Sequence, residues 1–441
     1  MNLSKVQNDV EENASTSVSR KRIHQDTIQE SQSKEKEGHV SVDTQKSESK
    51  EAAGHISVDT IQISDSKHQD TIQESESKVK EGHVSVVAAH YNHLEEKGIH
   101  ERFNSPIFYL RNINNWVKSV LIQEYIDKIR EKDYGRRLRV LDICCGKGGD
   151  MGKWQKSRVE HVVFADIAEV SVRQCQERYN DLQKRAGHLF SAEFIAADCT
   201  KDTLRDKYKD PSISYDLVSC QFGLHYSFES LTQARRMLTN ISECLRPNGY
   251  FIGTVPDAYE IVTRCRKSSN NSFGNSIFNI KLLFDPKDGY PLFGGKYDFN
   301  LEGVVNCPEF LVNFELLVKL ASQYGLELVY KARFADFYRE HSSKYKSLLH
   351  KIMCLESYPA PPGKTLIAEE SDYKHAMEYL EKLEQRTENT HLGTMSLREW
   401  EAVTIYVAFA FRKCKNTSWT ADGKPLYLKT GHKDESTSKK D

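Results

Sequence analysis

The chain has 441 residues, with 62 lysines and arginines against 63 aspartates and glutamates and a formal net charge of −1. That length holds one large domain or two. The charge balance excludes a chain-wide polycation but leaves room for a local basic patch. Ten cysteines are scattered with no Cys-x-x-Cys pair, which argues against a zinc module, and no metal is expected. Cys144, Cys145 and Cys220 sit in apolar runs and read as reduced buried thiols of a reducing compartment, cytosol or nucleus. Met1 to Glu12 lacks the apolar core of a secretory signal. No run approaches the ~20 apolar residues that span a bilayer, so no membrane partner is expected.

Residues 1–86 form a compositionally separate tail. The first Phe, Trp or Tyr is Tyr91, no Pro or Cys precedes it, and no Leu lies between Leu3 and Leu94. Such a segment cannot bury enough apolar area to offset chain entropy, and disorder is expected. It also repeats: His24 to Ser31 recurs as His68 to Ser75, and Gly38-His39-Val40-Ser41-Val42 recurs in near-copy at Gly54 and Gly82. The units carry no hydrophobic face, so they read as duplicated tail and not as a solenoid. Ser19-Arg20-Lys21-Arg22 is a short basic cluster of the kind that serves nuclear import.

Order is expected from about Val87, over 87–412. Ile107 to Arg130 reads as a helix, with Leu110, Trp116, Val117, Val120, Leu121, Tyr125 and Ile129 on its apolar face and Asn114, Asn115 and Lys118 on its polar side. A βα series follows. Strands are predicted at Leu138–Cys144, Val159–Ile167, Ser191–Ala197, Tyr215–Cys220 and Tyr250–Thr254, with helices at about Glu169–Arg185 and Glu229–Leu245, the second stopped by Pro247-Asn248-Gly249. This alternation implies a mostly parallel sheet with helices on both faces. The aromatic and glycine-rich stretch 255–307 reads as an inserted hairpin or lid. A helix is predicted over Pro308–Tyr324, a strand over Leu326–Phe334, and a polar helical lobe over 336–390 with Tyr373, Ala376, Met377, Leu380 and Leu383 inside. Ala402–Phe411 is the last predicted strand, and 413–441 is a polar tail.

The chemistry is concentrated at the ends of the first strands. Strand one runs into Gly146-Lys147-Gly148-Gly149-Asp150, a turn whose glycines admit close approach of a nucleotide-like ligand. An acid inside the turn suits a neutral or cationic ligand such as S-adenosylmethionine better than a pyrophosphate. Asp166 ends strand two, 24 residues after Asp142, where an acid accepts from ribose hydroxyls. Asp198 ends strand three, placed to accept from an adenine amino group. Either acid alone could be a helix cap. No Gly-x-x-x-x-Gly-Lys-Ser/Thr occurs, which disfavours a P-loop nucleotidase.

Several stretches together resemble the eukaryotic mRNA cap guanine-N7 methyltransferase family. They are Phe108 to Lys118 with its Asn114-Asn115-Trp116, the turn Asp142 to Asp150, Gln221 to Tyr226, Tyr290 to Gly294, Lys296 to Phe299, Pro308 to Leu311, and Trp400-Glu401, all within about 88–412. The resemblance implies an α/β, Rossmann-like, seven-stranded S-adenosylmethionine-dependent methyltransferase sheet, mostly parallel with the last strand antiparallel. It implies that Lys118, Cys144, Asp166, Asp198, Gln221 and Tyr226 meet S-adenosylmethionine. It further implies that Asn114 and Asn115 serve the capped nucleotide, that His225, Glu309 and Tyr406 line the guanine pocket, and that Lys147, Lys153 and Arg178 face the cap or its triphosphate. The family usually has Gly where this chain has Cys144. A negative φ there accommodates a side chain; a positive φ strains it.

Guanine N7 has a free lone pair, so no general base is expected, and holding it in line with an activated methyl group can supply about 7–11 kcal/mol. The resemblance implies capped nascent mRNA in the nucleus and a small activating subunit as partners, and the tail is expected to serve recruitment to the transcription machinery. Two other readings stand beside this one: a methyltransferase for another RNA or a small molecule, and a non-catalytic cap- or RNA-binding scaffold.

Overall fold

The computed structural model of the chain describes residues 83–93, 98–186, 189–383, 387, 390–414, 417–419 and 425–427. The tail repeats up to Gly82, the basic cluster and most of 415–441 lie outside the described residues; the last repeat copy enters the helix His83–His93, so order begins ahead of Val87. Seven strands form the central sheet: β1 (Arg139–Ile143), β2 (His161–Asp166), β3 (Ser191–Ala196), β4 (Tyr215–Gln221), β5 (Leu245–Pro256), β6 (Leu326–Arg333) and β7 (Tyr406–Lys413). Their order is β6-β7-β5-β4-β1-β2-β3. β1 to β5 pair in parallel, and β7 runs antiparallel between β5 and β6. The strand order reverses beside β1, where β4 and β2 flank it, and that break is where an open α/β sheet leaves room for a ligand.

Apolar layers cover both faces. Every residue of β4 is buried, as expected of a strand inside a doubly covered sheet. The helix Phe108–Lys132 buries ten residues, among them Ile113, Trp116, Val117, Tyr125 and Ile129, against one face. Leu231–Ser242 and Phe314–Gln323 pack on the other. Burying each such large side chain contributes about 1.5–3 kcal/mol.

Six features depart from the sequence expectations. The helix expected over Glu229–Leu245 is shorter, Leu231–Ser242, because Ser230 caps it by accepting the Gln233 backbone N–H at 3.3 Å. Tight 3₁₀ turns at Leu224–Glu229 precede it. Pro247-Asn248-Gly249 stops no helix; it lies within β5, with Asn248 at φ +60°, at a register shift against β4. The insertion is more than a hairpin. The helix Ala258–Arg266 leads into a four-stranded antiparallel sheet, Ser272–Gly274, Phe278–Leu282, Lys296–Leu301 and Val305–Phe310. Pro308 and Glu309 therefore sit on a strand, and the following helix starts only at Phe314, where the Asn313 side chain accepts the Leu316 N–H at 3.0 Å. In the lobe, Tyr373, Ala376 and Leu380 are buried while Met377, on the flank of that stripe, is 40 % exposed. The last strand is preceded by a helix, Leu397–Val403, so Ala402 is helical and Tyr406 opens β7. Among the described residues no helix is long and apolar enough to cross a membrane.

Candidate active site

A cavity of about 450 Å³ opens at the carboxyl ends of β1 to β4. Lys118, Cys144, Asp166, Asp198, Gln221 and Tyr226 all line it, as do Lys147 and Arg178. β1 delivers the chain into the turn, where Gly146 and Gly148 take φ of +51° and +72°. Gly148 has no room for a side chain either: a Cβ would lie 2.6 Å from Cys175 Sγ.

Three polar side chains of the wall are held by their own surroundings. Asp166 accepts backbone N–H bonds from Gly146 (2.8 Å) and Ala168 (2.9 Å), which ties the end of β2 to the turn. Burial pushes its carboxyl up despite those bonds. Asp198 accepts from the Thr200 N–H (2.9 Å) and hydroxyl (2.6 Å) through Oδ1 alone. Its Oδ2 is buried without a hydrogen-bond partner among the described residues, with Lys201 Nζ at 3.6 Å. A buried acceptor left open is costly unless a donor arrives. Gln221 donates to Ser219 Oγ (3.0 Å) and accepts from Thr254 Oγ1 (3.2 Å), so its amide is fixed in orientation. Cys144 has φ +57°, the strained alternative, which costs a non-glycine residue about 1–2 kcal/mol.

The helix Phe108–Lys132 presents Arg111, Asn114 and Lys118 along one face. Arg111 and Lys118 line the cavity, and Asn114 Oδ1 between them is buried without a hydrogen-bond partner among the described residues. Lys118 pairs with Asp150 at 2.8 Å. Lys153, expected to face the cap, has a different neighbourhood: it pairs with Asp150 at 2.7 Å, donates to Asn115 Oδ1 at 2.5 Å, and stays off the cavity wall. Asn115 is thereby turned toward Lys153. Burial alone would raise the Asp150 carboxyl, but the two lysines hold it below the usual range. Asp142 behaves oppositely. Burial and the neighbouring Asp150 charge push it up, and the Trp154 Nε1–H donates to it at 3.0 Å.

Behind Tyr226 lies a second part of the site, a buried cluster of side chains. Glu309 and His225 are 3 % and 2 % exposed. Glu309 Oε2 accepts from the Tyr297 hydroxyl at 2.6 Å, and Oε1 lies 3.3 Å from His225 Nε2. The His225 and Tyr226 rings are 4.2 Å apart. The Tyr226 hydroxyl lies 3.2 Å from that of Tyr91 and 3.5 Å from Cys307 Sγ. Tyr406 meets the edge of Phe222, ring centroids 5.0 Å apart. Burial raises the hydroxyl pKa of Tyr226, Tyr297 and Tyr406, so these phenols stay neutral. His225, Glu309 and Tyr406 thus stand behind Tyr226 and Phe222 and not on the wall of the open cavity.

The sequence profile of the mRNA (guanine-N(7))-methyltransferase domain matches residues 74–414. A Drosophila melanogaster mRNA cap guanine-N(7) methyltransferase is 48 % identical over 350 residues, covering 78 % of this chain and 80 % of that one. The Caenorhabditis elegans protein of the same name is 39 % identical over 363 residues, 80 % of this chain and 93 % of its own. An Oryza sativa relative, mRNA cap guanine-N(7) methyltransferase 1, is 38 % identical over 334 residues, 74 % and 80 % respectively. The chain belongs to the mRNA (guanine-N(7))-methyltransferase family.

The match starts ahead of the resemblance read from motifs, so the segment before Tyr91 is part of the guanine-N7 methyltransferase domain. Five wall residues inside 87–412 were not singled out from the sequence. Tyr91 and Val87 line the cavity from the helix His83–His93. Arg111, Phe222 and Thr200 line it too. Arg111 was legible from spacing, since it precedes Asn114 by three and Lys118 by seven. Tyr297 lies in the quoted Lys296 to Phe299 stretch, but nothing in the pattern tells that it meets Glu309.

Proposed function

We propose that this chain transfers a methyl group from S-adenosylmethionine to N7 of the guanosine cap of mRNA. The observation that carries the reading is the junction of two parts of the site: an open cavity whose wall holds a buried acidic acceptor with no hydrogen-bond partner among the described residues, meeting a buried acid–aromatic cluster at Tyr226. The wall fits the methyl donor. Asp198 Oδ2 offers a buried acceptor for an amino group, Asp166 lies at the end of β2 for hydroxyls, and the Lys118–Asp150 pair offers both signs of charge to an amino-acid end. S-adenosylmethionine, when bound, supplies a methyl group already activated by its sulfonium.

The remaining task falls to the chain, and it is positional. Glu309, oriented by Tyr297, accepts from the N1–H and amino group of guanine and is matched to the positive charge the base acquires. His225 sets the edge of that site. Tyr226 and Tyr406 contribute about 0.5–2 kcal/mol of contact with the cationic base. Asn114 and Asn115 serve the capped nucleotide through the helix they share, and Lys147 and Arg178 face the triphosphate. No side chain is asked to move a proton, so substitutions act through geometry. A small activating subunit docks on the lobe 336–390 or near Trp116, and the tail 1–86 handles recruitment to the transcription machinery in the nucleus.

The test is purified protein with labelled S-adenosylmethionine and guanosine-triphosphate-capped RNA. Label recovered on guanine N7 supports the reading. Cofactor binding with label elsewhere points to another acceptor, and cap binding without cofactor binding points to a scaffold.

A further inference from the structure

Backbone strain gathers on one wall of the cavity. Cys144 and Phe222 follow the neighbouring parallel strands β1 and β4, which pair Ile143 with Cys220, and both take left-handed φ, +57° and +56°. Gly223 comes next. Its own φ is −132°, which any residue adopts, so backbone conformation does not require glycine there. Space does. A Cβ on Gly223 would lie 2.4 Å from Cys144 Cβ and 2.7 Å from Cys144 Sγ, with Cys220 Sγ 3.6 Å away. At 144 the logic is reversed. The left-handed φ favours glycine, and a side chain is present against that preference.

We infer that Cys144 and Gly223 are a matched pair that shapes the cofactor wall: the side chain at 144 fills the volume a side chain at 223 would need. Both residues line the cavity, so the pair fixes the contour offered to the ligand and makes each position permissible only in view of the other. This rests on the reading that the cavity takes S-adenosylmethionine.

The test uses the full chain with Gly223→Ala, Cys144→Gly, and two doubles, Gly223→Ala with Cys144→Gly and Gly223→Ala with Cys144→Ala. Calorimetric S-adenosylmethionine affinity, KM for capped RNA and melting temperature are measured for each. Gly223→Ala weakens cofactor binding by roughly tenfold or more, the scale of overpacking in a tight wall, with KM for capped RNA moving less than about threefold. Adding Cys144→Gly returns affinity to within about threefold of Cys144→Gly alone. Adding Cys144→Ala does not, because the Cβ at 2.4 Å remains. The inference is overturned if the effects of Gly223→Ala and Cys144→Gly multiply in their double, or if alanine at 144 rescues as well as glycine. Should Gly223→Ala alone fail to fold, the two doubles keep the test: cooperative melting returns with glycine at 144 and not with alanine. Failure of the unmodified chain to bind S-adenosylmethionine would sink the proposed function, while the melting order would still judge the pair.

Discussion

The two parts of the site are built by opposite means. The open cavity stands on consecutive strand ends, and Asp166, Asp198 and Gln221 are each tied to groups in the adjoining turns and strands. The buried cluster is assembled from afar: His225 from a 3₁₀ turn, Tyr297 and Glu309 from the inserted antiparallel sheet, Tyr406 from the first residue of β7. One side is made by consecutive strand ends, and the other joins two residues of an insertion to His225 and Tyr406 of the central fold. Binding of the donor and selection of the acceptor should therefore separate under mutation.

The largest effect is expected at Glu309. Replacing it with Ala removes the acceptor, leaves the Tyr297 hydroxyl without its 2.6 Å partner, and cancels the charge set against the cationic base. Turnover on capped RNA (kcat/KM) should fall about a hundredfold or more, the cost of losing a buried charged hydrogen bond. Cofactor affinity should stay within about threefold. A comparable loss of cofactor affinity would show that the two parts are not separable.

Asp198→Ala is the mirror experiment. Its open Oδ2 is the clearest unfilled acceptor on the cavity wall, and a hydrogen bond to a charged group is worth about 1.5–3 kcal/mol. S-adenosylmethionine should bind about 10- to 100-fold more weakly by calorimetry, while KM for capped RNA at saturating donor changes little. An equal shift in both constants would break the comparison from the other side.

What could be read from the chain follows the same division. The five parallel strands, the glycine turn and the acids at the strand ends lie in short contiguous stretches, so hydrophobic periodicity and spacing found them. Glu309 was reached only by resemblance, and the helix expected over Pro308–Tyr324 covers a segment that begins as a strand. Nothing in Val305–Phe310 distinguishes the fourth strand of an inserted sheet until its partner Lys296–Leu301 is placed beside it. Lys153 shows a third kind of limit. A lysine two positions into a helix after a phosphate-sized turn looks exposed, yet a buried Asp150 captures it, and burial lowers its own pKa despite the pairing.

Two substitutions probe the scaffold on the donor side. Lys153→Met leaves the buried Asp150 with Lys118 alone, and a stability loss of about 2 kcal/mol is expected in denaturant unfolding, with KM for capped RNA unchanged within about twofold. A large rise in KM would return Lys153 to the substrate. Glu399 anchors the helix Phe108–Lys132, which carries Lys118: it accepts the Leu110 N–H at 3.0 Å and the Ser396 hydroxyl at 2.7 Å while fully buried. Burial pushes its carboxyl up to about 7 from an ordinary 4.5. Because the folded state holds the proton more tightly than the unfolded chain, its stabilising contribution is complete below about pH 4.5 and is lost as pH rises through about 7. Wild type should gain on the order of 1 kcal/mol between about pH 8 and pH 5 relative to Glu399→Gln, read from paired unfolding curves.

The smallest expected effect tests the boundary itself. Tyr91 and Tyr226 meet through their hydroxyls at 3.2 Å, with the rings nearly perpendicular and centroids 6.5 Å apart. Tyr91→Phe keeps the ring and the apolar wall but removes the hydroxyl, leaving Tyr226 its 3.5 Å contact with Cys307. A neutral hydrogen bond contributes about 0.5–1.5 kcal/mol net, so changes of about two- to tenfold are the ceiling. If Tyr226 divides the two parts, loosening it should shift KM for capped RNA and for S-adenosylmethionine together, each by about threefold. A shift in only one constant would assign Tyr226 wholly to that side and move the boundary to Phe222.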